Sequence, residues 1–195
     1  MEAGATSTGR MEERARLGMW VFVVSLIALF GAGIALFVLA RTGGGGHLVR
    51  DVERGARIAL PVWMWGSTLL VFCSSVALHQ GLSWGRMGLP AQARRAVRGA
   101  AGAGWGFLIL QVPALLVLVD RYRAVSGIRP VVVFLVVTLS GLHLLHAAGG
   151  AIALARLASR GPTPAPGGAW SLMAIYWHFL AGLWLVLFLT FALVR

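Results

Sequence analysis

Five stretches of the chain run without a single charged side chain: Leu17 to Ala40, Ile58 to Gly85, Gly99 to Val119, Pro130 to Ala155 and Gly161 to Val194. An α-helix rises about 1.5 Å per residue, so about 20 residues cross a hydrocarbon core about 30 Å thick. Each run is long enough, the last once its Pro/Gly-rich start is trimmed. The pattern predicts an all-α, polytopic membrane protein, a bundle of five transmembrane helices with spans at about 17–40, 58–84, 99–119, 130–155 and 170–194. The connections are short: Arg41 to Arg57 with four consecutive glycines, Arg86 to Arg98, Asp120 to Arg129, and Arg156 to Gly168 with three prolines. None is long enough for a soluble domain, and residues 1–16 form a polar tail leading into the first helix.

Composition agrees with that picture. Of 195 residues 58% are hydrophobic and 12% charged, about half the charge of an ordinary globular domain, which argues against a soluble fold. Seventeen basic residues, all arginine, face six acidic ones for a formal charge of +11. The arginines are dispersed in short clusters flanking the apolar runs, the pattern of membrane-interface anchors; a nucleic-acid surface would gather them into one stripe. The first run exceeds the h-region of a cleaved signal peptide, about 7–15 residues, and Gly43 to Gly46 is not a cleavage site of that kind. The single cysteine, Cys73, excludes an internal disulfide and any multi-Cys metal site, and it is expected to pack as a small apolar residue. With the N-terminus inside, nine arginines fall on the cytoplasmic side and eight opposite, so the basic-residue count does not set the orientation. An odd number of spans does put the two ends on opposite sides.

The polar residues inside the spans are few: Ser67, Thr68, Ser74, Ser75 and His79 in the second, Gln111 in the third, Thr138, Ser140, His143 and His146 in the fourth, Ser171 and His178 in the fifth. No carboxylate lies well inside any span, which disfavours an independent pump or ion-coupled carrier, since these use ionisable groups in the membrane. Pro113 is expected to kink span three. His143 and His146 share a helix face with Leu139, Ala147 and Gly150. On span five Ser171, Ala174, His178, Ala181 and Gly182 make a small, polar face, opposite Trp177, Trp184, Phe188 and Phe191. The expectation is that the small face packs on protein while the aromatic side meets lipid or a partner subunit. Haem ligation is one reading of the histidines, but two histidines one turn apart on a single helix cannot form two stacked haem sites. A metal site of His143, His146 and His178 has suitable ligands and no thiolate or carboxylate support. The residues favour histidines that hydrogen-bond between helices, to backbone carbonyls or to lipid head groups.

Two segments carry a resemblance. Thr138 to Gly150 reads TLSGLHLLHAAGG and Tyr176 to Phe188 reads YWHFLAGLWLVLF; they resemble the G-x-H-x-x-H-x-x-x-G and Y-W-H-F-x-x-x-W-x-x-x-F signatures of subunit III of the haem–copper cytochrome c oxidases. Gly104 to Gln111 is similar to that family's G-x-x-F-x-x-x-Q segment, Ser67-Thr68 through Ser74-Ser75 to its N-T…S-[SG] helix, and Arg16 to Ser25 to its G-M-W-L-F-x-x-S-E helix. The resemblance touches all five spans in order. Relative to the seven-helix form the chain is expected to lack the first two helices, as short bacterial members do.

The departures are acidic. The resemblance leads one to expect carboxylates near Leu26, Ala114, Ser171 and Ala181, where this chain is apolar or small, so a role in proton handling through those positions is not expected. What the resemblance implies is a non-catalytic accessory subunit that carries no haem, copper or other cofactor of its own. It would dock on subunits I and II, whose haem and copper do the chemistry, and bind structural phospholipid; no nucleic acid is implied. It would lie in the bacterial inner membrane with the N-terminus cytoplasmic and the C-terminus periplasmic. His143, His146, His178, Tyr176, Trp177 and Gln111 would then serve lipid contact or subunit packing, with Arg16, Arg41 and Arg57 as head-group partners. A subunit III-like partner of a nitric oxide reductase and a haem-b-binding membrane cytochrome are the alternative readings.

Overall fold

The computed structural model describes residues 2–42, 59–124, 130–160, 164 and 168–193, with side chains of the first helix described from residue 13 to residue 41. They form five helices, α1 (Glu2–Thr42), α2 (Val62–Arg86), α3 (Pro90–Ala124), α4 (Pro130–Arg160) and α5 (Gly168–Leu193), with no strand among the described residues. Each helix is long and apolar enough to cross a bilayer. The protein is a polytopic, all-α membrane bundle, as the uncharged runs predict.

Three of the helices, α1, α3 and α4, outrun their uncharged runs. Residues 2–16 are helical and continuous with the first span. α3 starts at Pro90, so Arg94, Arg95 and Arg98, expected in a loop, occupy its first turns, and it continues past Val119 to carry Asp120, Arg121 and Arg123. Charge marks where lipid ends, whereas a helix continues until something stops it, and Ala, Arg and Gln are good helix formers. Pro113 lies within α3, which continues on both sides of it.

The stop between α2 and α3 is well defined. Gly88 has φ +72°, a left-handed conformation that glycine adopts without steric cost. Its N–H donates to Gly85 O at 3.2 Å and the N–H of Leu89 donates to Trp84 O at 3.0 Å, the pair of bonds of a Schellman ending. Pro90 follows as the first helical residue of α3, where its missing N–H costs nothing. The tight reversal lays α2 and α3 together as an antiparallel hairpin, the most extensive helix pair in the bundle. α3 packs on α4, α4 on α5, and α5 returns to α2, closing a ring of four; α1 lies outside the ring against α4 and α5.

Trp177, Trp184, Phe188 and Phe191 of α5 are all buried at 3% exposure or less, while Gly182 is exposed. The aromatic side of α5, expected to meet lipid or a partner, is therefore an inner one; of the small face, Ala181 is buried with it and Ser171, Ala174 and His178 are half-buried. Lipid tails offer an indole N–H no acceptor, and Trp177 and Trp184 find theirs on α2, in Ser74 and Thr68. Outward-facing apolar side chains such as Trp20, Val24 and Leu39 of α1, Leu69 of α2, Ile109 of α3 and Leu145 of α4 form the lipid-facing surface.

The Trp177 indole is the tightest point of the ring. A Cβ on Gly104 of α3 would come within 2.8 Å of its ring, and one on Gly150 of α4 within 3.1 Å. The ring is thus held in a slot between two helices that only glycine leaves open. Gly104→Ala is expected to lower stability by about 1–3 kcal/mol, the range for overpacking. Gly141→Ala, whose Cβ would meet nothing within 4 Å, should be neutral or stabilising by up to about 1 kcal/mol through helix propensity; thermal unfolding of both variants in one detergent checks the contrast.

Candidate functional site

The polar side chains of the spans converge on the interior of the ring in successive layers. In the first, Trp177 Nε1–H of α5 donates to Ser74 Oγ of α2 at 3.0 Å, and Ser74 Oγ–H donates to the Ala100 carbonyl of α3 at 2.6 Å. With Gly150 of α4 against the ring, this layer joins α2, α3, α4 and α5. In the second, Trp184 Nε1–H donates to Thr68 Oγ1 at 2.9 Å, and Thr68 passes its own proton to Met64 O at 2.6 Å. In the third, Ser67 Oγ and Gln111 Oε1 lie 2.6 Å apart, and Ser67 Oγ is 3.0 Å from Met64 O. A single hydroxyl proton is shared here between two acceptors. Serine and threonine on a transmembrane helix ordinarily return their proton to the preceding turn, and the tryptophans use the lone pairs that remain.

His143 of α4 sits beside the second layer and is 1% exposed. Its ring stacks on Trp184 with centroids 5.4 Å apart at 28°, and meets Phe107 and Phe30 edge-on at 6.1 and 6.4 Å. Neither ring nitrogen has a hydrogen-bond partner among the described residues, and the same holds for Gln111 Nε2 and Ser140 Oγ. His143 therefore works as a flat aromatic plate between α1, α3 and α5, not as the hydrogen-bonding residue expected.

His146, three residues on, shares the Phe30 ring with His143, at 6.1 Å, whereas His178 sits apart on α5. His146 Nδ1–H donates to Leu142 O at 2.7 Å, which leaves its lone pair on Nε2, and Tyr176 O–H donates to His146 O at 3.0 Å. Phe22 of α1 covers both rings, at 6.2 and 5.9 Å. His178 lies on the α2–α5 edge, with Nδ1 2.5 Å from Ser75 Oγ and its ring 6.2 Å from that of His79. His143, His146 and His178 are thus not brought together, and no three of His, Cys, Asp and Glu form a cluster that could hold a metal among the described residues. Cys73 is free and exposed, not packed inside as expected. The described carboxylates Glu13 and Asp120 are exposed.

The arginines divide differently from the expectation. Arg16 is exposed near the start of the first span, but Arg41 is 7% exposed and lies within Coulombic reach of buried Tyr122, so it is covered by the chain. Arg57 falls outside the described residues. A groove of about 560 Å³ between α1, α4 and α5 is walled by Met19, Leu157, Leu172, Met173 and Tyr176, with exposed Arg156 on its lining. Arg156 was not among the expected head-group partners; its place as the first charge after a long apolar run was the signal.

No protein-family model matches the chain. It is similar over nearly its whole length to two proteins. The "Probable cytochrome c oxidase subunit 3" of Nocardia farcinica (strain IFM 10152) is 28% identical over 193 residues, covering 92% of this chain and 87% of that protein. The protein of the same description from Mycobacterium leprae (strain TN) is 28% identical over 183 residues, with the same coverage of 92% and 87%. The five-helix membrane bundle is consistent with that likeness.

The layered interior generates a contrast. Ser74→Ala strands the buried Trp177 N–H and should cost about 1–3 kcal/mol, and a double-mutant cycle with Trp177→Phe should return a coupling of about 1 kcal/mol or more. His143→Leu breaks no hydrogen bond and stays close in volume, so it should stay within about 1.5 kcal/mol of the parent. Equilibrium unfolding in mixed micelles measures all three.

Proposed function

We propose that the chain is an accessory, cofactor-free, subunit III-like component of a haem–copper terminal oxidase of aerobic respiratory electron transport. In this reading it stabilises subunit I, contacts subunit II and holds phospholipid. Its place is the bacterial inner membrane, with the N-terminus and polar tail cytoplasmic and the C-terminus periplasmic. The observation that carries the reading is the likeness to two cytochrome c oxidase subunit 3 proteins across 92% of the chain.

The geometry supports a scaffolding role. The interior polar groups join helices to one another, and no cluster of metal ligands is found among the described residues. Three positions where the resemblance calls for carboxylates, Leu26, Ala114 and Ala181, are buried and apolar; Ser171 is half-buried. A carboxylate at such a place would need a partner to offset its desolvation.

Phospholipid binding would use the groove beside Met19 and Tyr176. Its apolar walls suit an acyl chain, and Arg156 supplies a cation for an anionic head group. Arg16 lies three residues before Met19, on the same helix face. Tyr176 lines the groove and ties it to His146 through its hydroxyl.

Affinity purification of the tagged chain from its native membrane is expected to recover a haem–copper subunit I and bound anionic phospholipid. Arg156→Ala should reduce that phospholipid about fivefold, the equivalent of about 1 kcal/mol for one interfacial arginine, as read by mass spectrometry of the extracted lipid. Recovery of nitric oxide reductase subunits would favour that complex instead, and recovery of the chain without any respiratory subunit would overturn the proposal.

A further inference from the structure

Two polar side chains inside the ring each keep a hydrogen-bonding atom unused. Gln111 of α3 is fully buried; its Oε1 is 2.6 Å from Ser67 Oγ of α2, while its Nε2 has no partner among the described residues. Ser140 of α4 is 1% exposed, and its Oγ likewise has none. A serine or threonine in a transmembrane helix ordinarily satisfies itself on the preceding turn, as Ser25 does on Val21 O at 2.9 Å and Thr68 on Met64 O at 2.6 Å. Ser140 does not. Buried amides and hydroxyls almost always find a partner, in the protein or in ordered water, and one left alone is destabilising.

The register of α3 and α4 brings these two atoms to one level. Trp177 lies between Gly104 of α3 and Gly150 of α4, and Phe107 of α3 meets His143 of α4 at 6.1 Å, so advancing along α3 matches going back along α4. Gln111 is four residues beyond Phe107 and Ser140 three before His143, about 6 Å and about 4.5 Å along the two axes in the same direction. The two residues thus stand on adjoining helices within about 2 Å of the same height. Leu139 is turned to Gly33 of α1, and Ser140 lies one step of about 100° further round α4. The azimuth of His143, which reaches Phe107 of α3, falls between them, so Ser140 is on the side of α4 away from α1. Both ring nitrogens of His143 are unpartnered too, so the unused polar atoms of the ring interior gather within about one turn of this level.

We propose that an internal water molecule is bound at this level, bridging the unused end of the Gln111 amide to Ser140 Oγ and so joining α3 to α4. Both groups are enclosed, at 0% and 1% exposure, which excludes a lipid head group or any larger solute. Neither is charged, and no carboxylate is buried among the described residues, so an ion would lose its hydration without a counter-charge. An amide and a hydroxyl ask for a donor and an acceptor. Water supplies both, so the bridge closes whichever way the amide is turned. Two polar partners suffice, since a buried water makes about two to four hydrogen bonds. The polar path from Met64 O through Ser67 and Gln111 then continues from α2 and α3 into α4. The inference stands on packing and does not depend on the proposed function.

The direct test is an electron cryo-microscopy map of the full chain, in lipid nanodiscs or in its native complex, at a resolution that shows ordered solvent. The expected result is a density peak about 2.7–3.2 Å from both the Gln111 amide and Ser140 Oγ. The absence of such a peak overturns the proposal, whether the two side chains then bond directly or turn to other protein groups. A thermodynamic cycle gives a second reading. Gln111→Met and Ser140→Ala should each raise the unfolding equilibrium constant about tenfold. The double variant leaves the water no partner at either end, so its constant should fall about fivefold short of the product of the two single effects. Effects that multiply in full overturn the bridge, and where a variant fails to fold the map decides.

Discussion

The fold depends on where one indole ring can go. Trp177 enters the ring of α2 to α5 between Gly104 and Gly150 and closes on Ser74, so that four helices meet at a single side chain. In a bilayer the apolar interior of a bundle gains little over lipid, which is as apolar as leucine, and helices associate through close packing and interhelical hydrogen bonds. Trp177 supplies both. The turn at Gly88 holds α2 and α3 together, and the slot between Gly104 of α3 and Gly150 of α4 fixes the rotation of α5. That rotation directs Trp184 to Thr68 and His143, and leaves His178 on the outer edge with Ser75.

The same constraint governs what the interior can do. The hydroxyls of Ser67, Thr68 and Ser74 return protons to backbone carbonyls or to Gln111, Trp177 and Trp184 donate to two of them, and the deepest histidine is a packing plate among Phe30, Phe107 and Trp184. Leu26, Ala114 and Ala181 fill buried positions where the subunit III resemblance calls for carboxylates. Gln111 Nε2, Ser140 Oγ and both ring nitrogens of His143 keep unused hydrogen-bonding capacity in that interior, and the outer surface carries a groove with an arginine, an apolar α1 face and a partly polar edge on α2.

The fold class was legible in the charge-free runs because burying charge in lipid is costly enough to shape the sequence over twenty residues at a time. Helix ends were less legible: Arg94, Arg95 and Arg98 looked like a loop because charge marks the membrane boundary, while α3 runs straight through them. The rotation of α5 was misread, since an aromatic face looks lipid-loving until the N–H groups of Trp177 and Trp184 are counted. His143 and His146, adjacent on one face in sequence, separate in three dimensions into a caged ring and a rim residue held by Leu142 and Tyr176. No spacing rule distinguishes those two: Phe30 of α1 reaches both rings, and the difference comes from Phe107 and Trp184 closing on His143 while Phe22 lies against His146. Arg41 looked like an interfacial cation and is covered instead, its surroundings set by Tyr122 at the far end of α3.

In the proposed reading the interior histidines serve packing and the chain carries no redox centre of its own. The most direct test is the optical spectrum of the purified wild-type chain, separated from any partner under conditions that keep its helices folded. The account predicts no Soret absorption, in the oxidised or the dithionite-reduced state, from a chain whose circular dichroism is fully helical. A Soret band at a stoichiometry near one haem per chain that disappears on His143→Leu would contradict it.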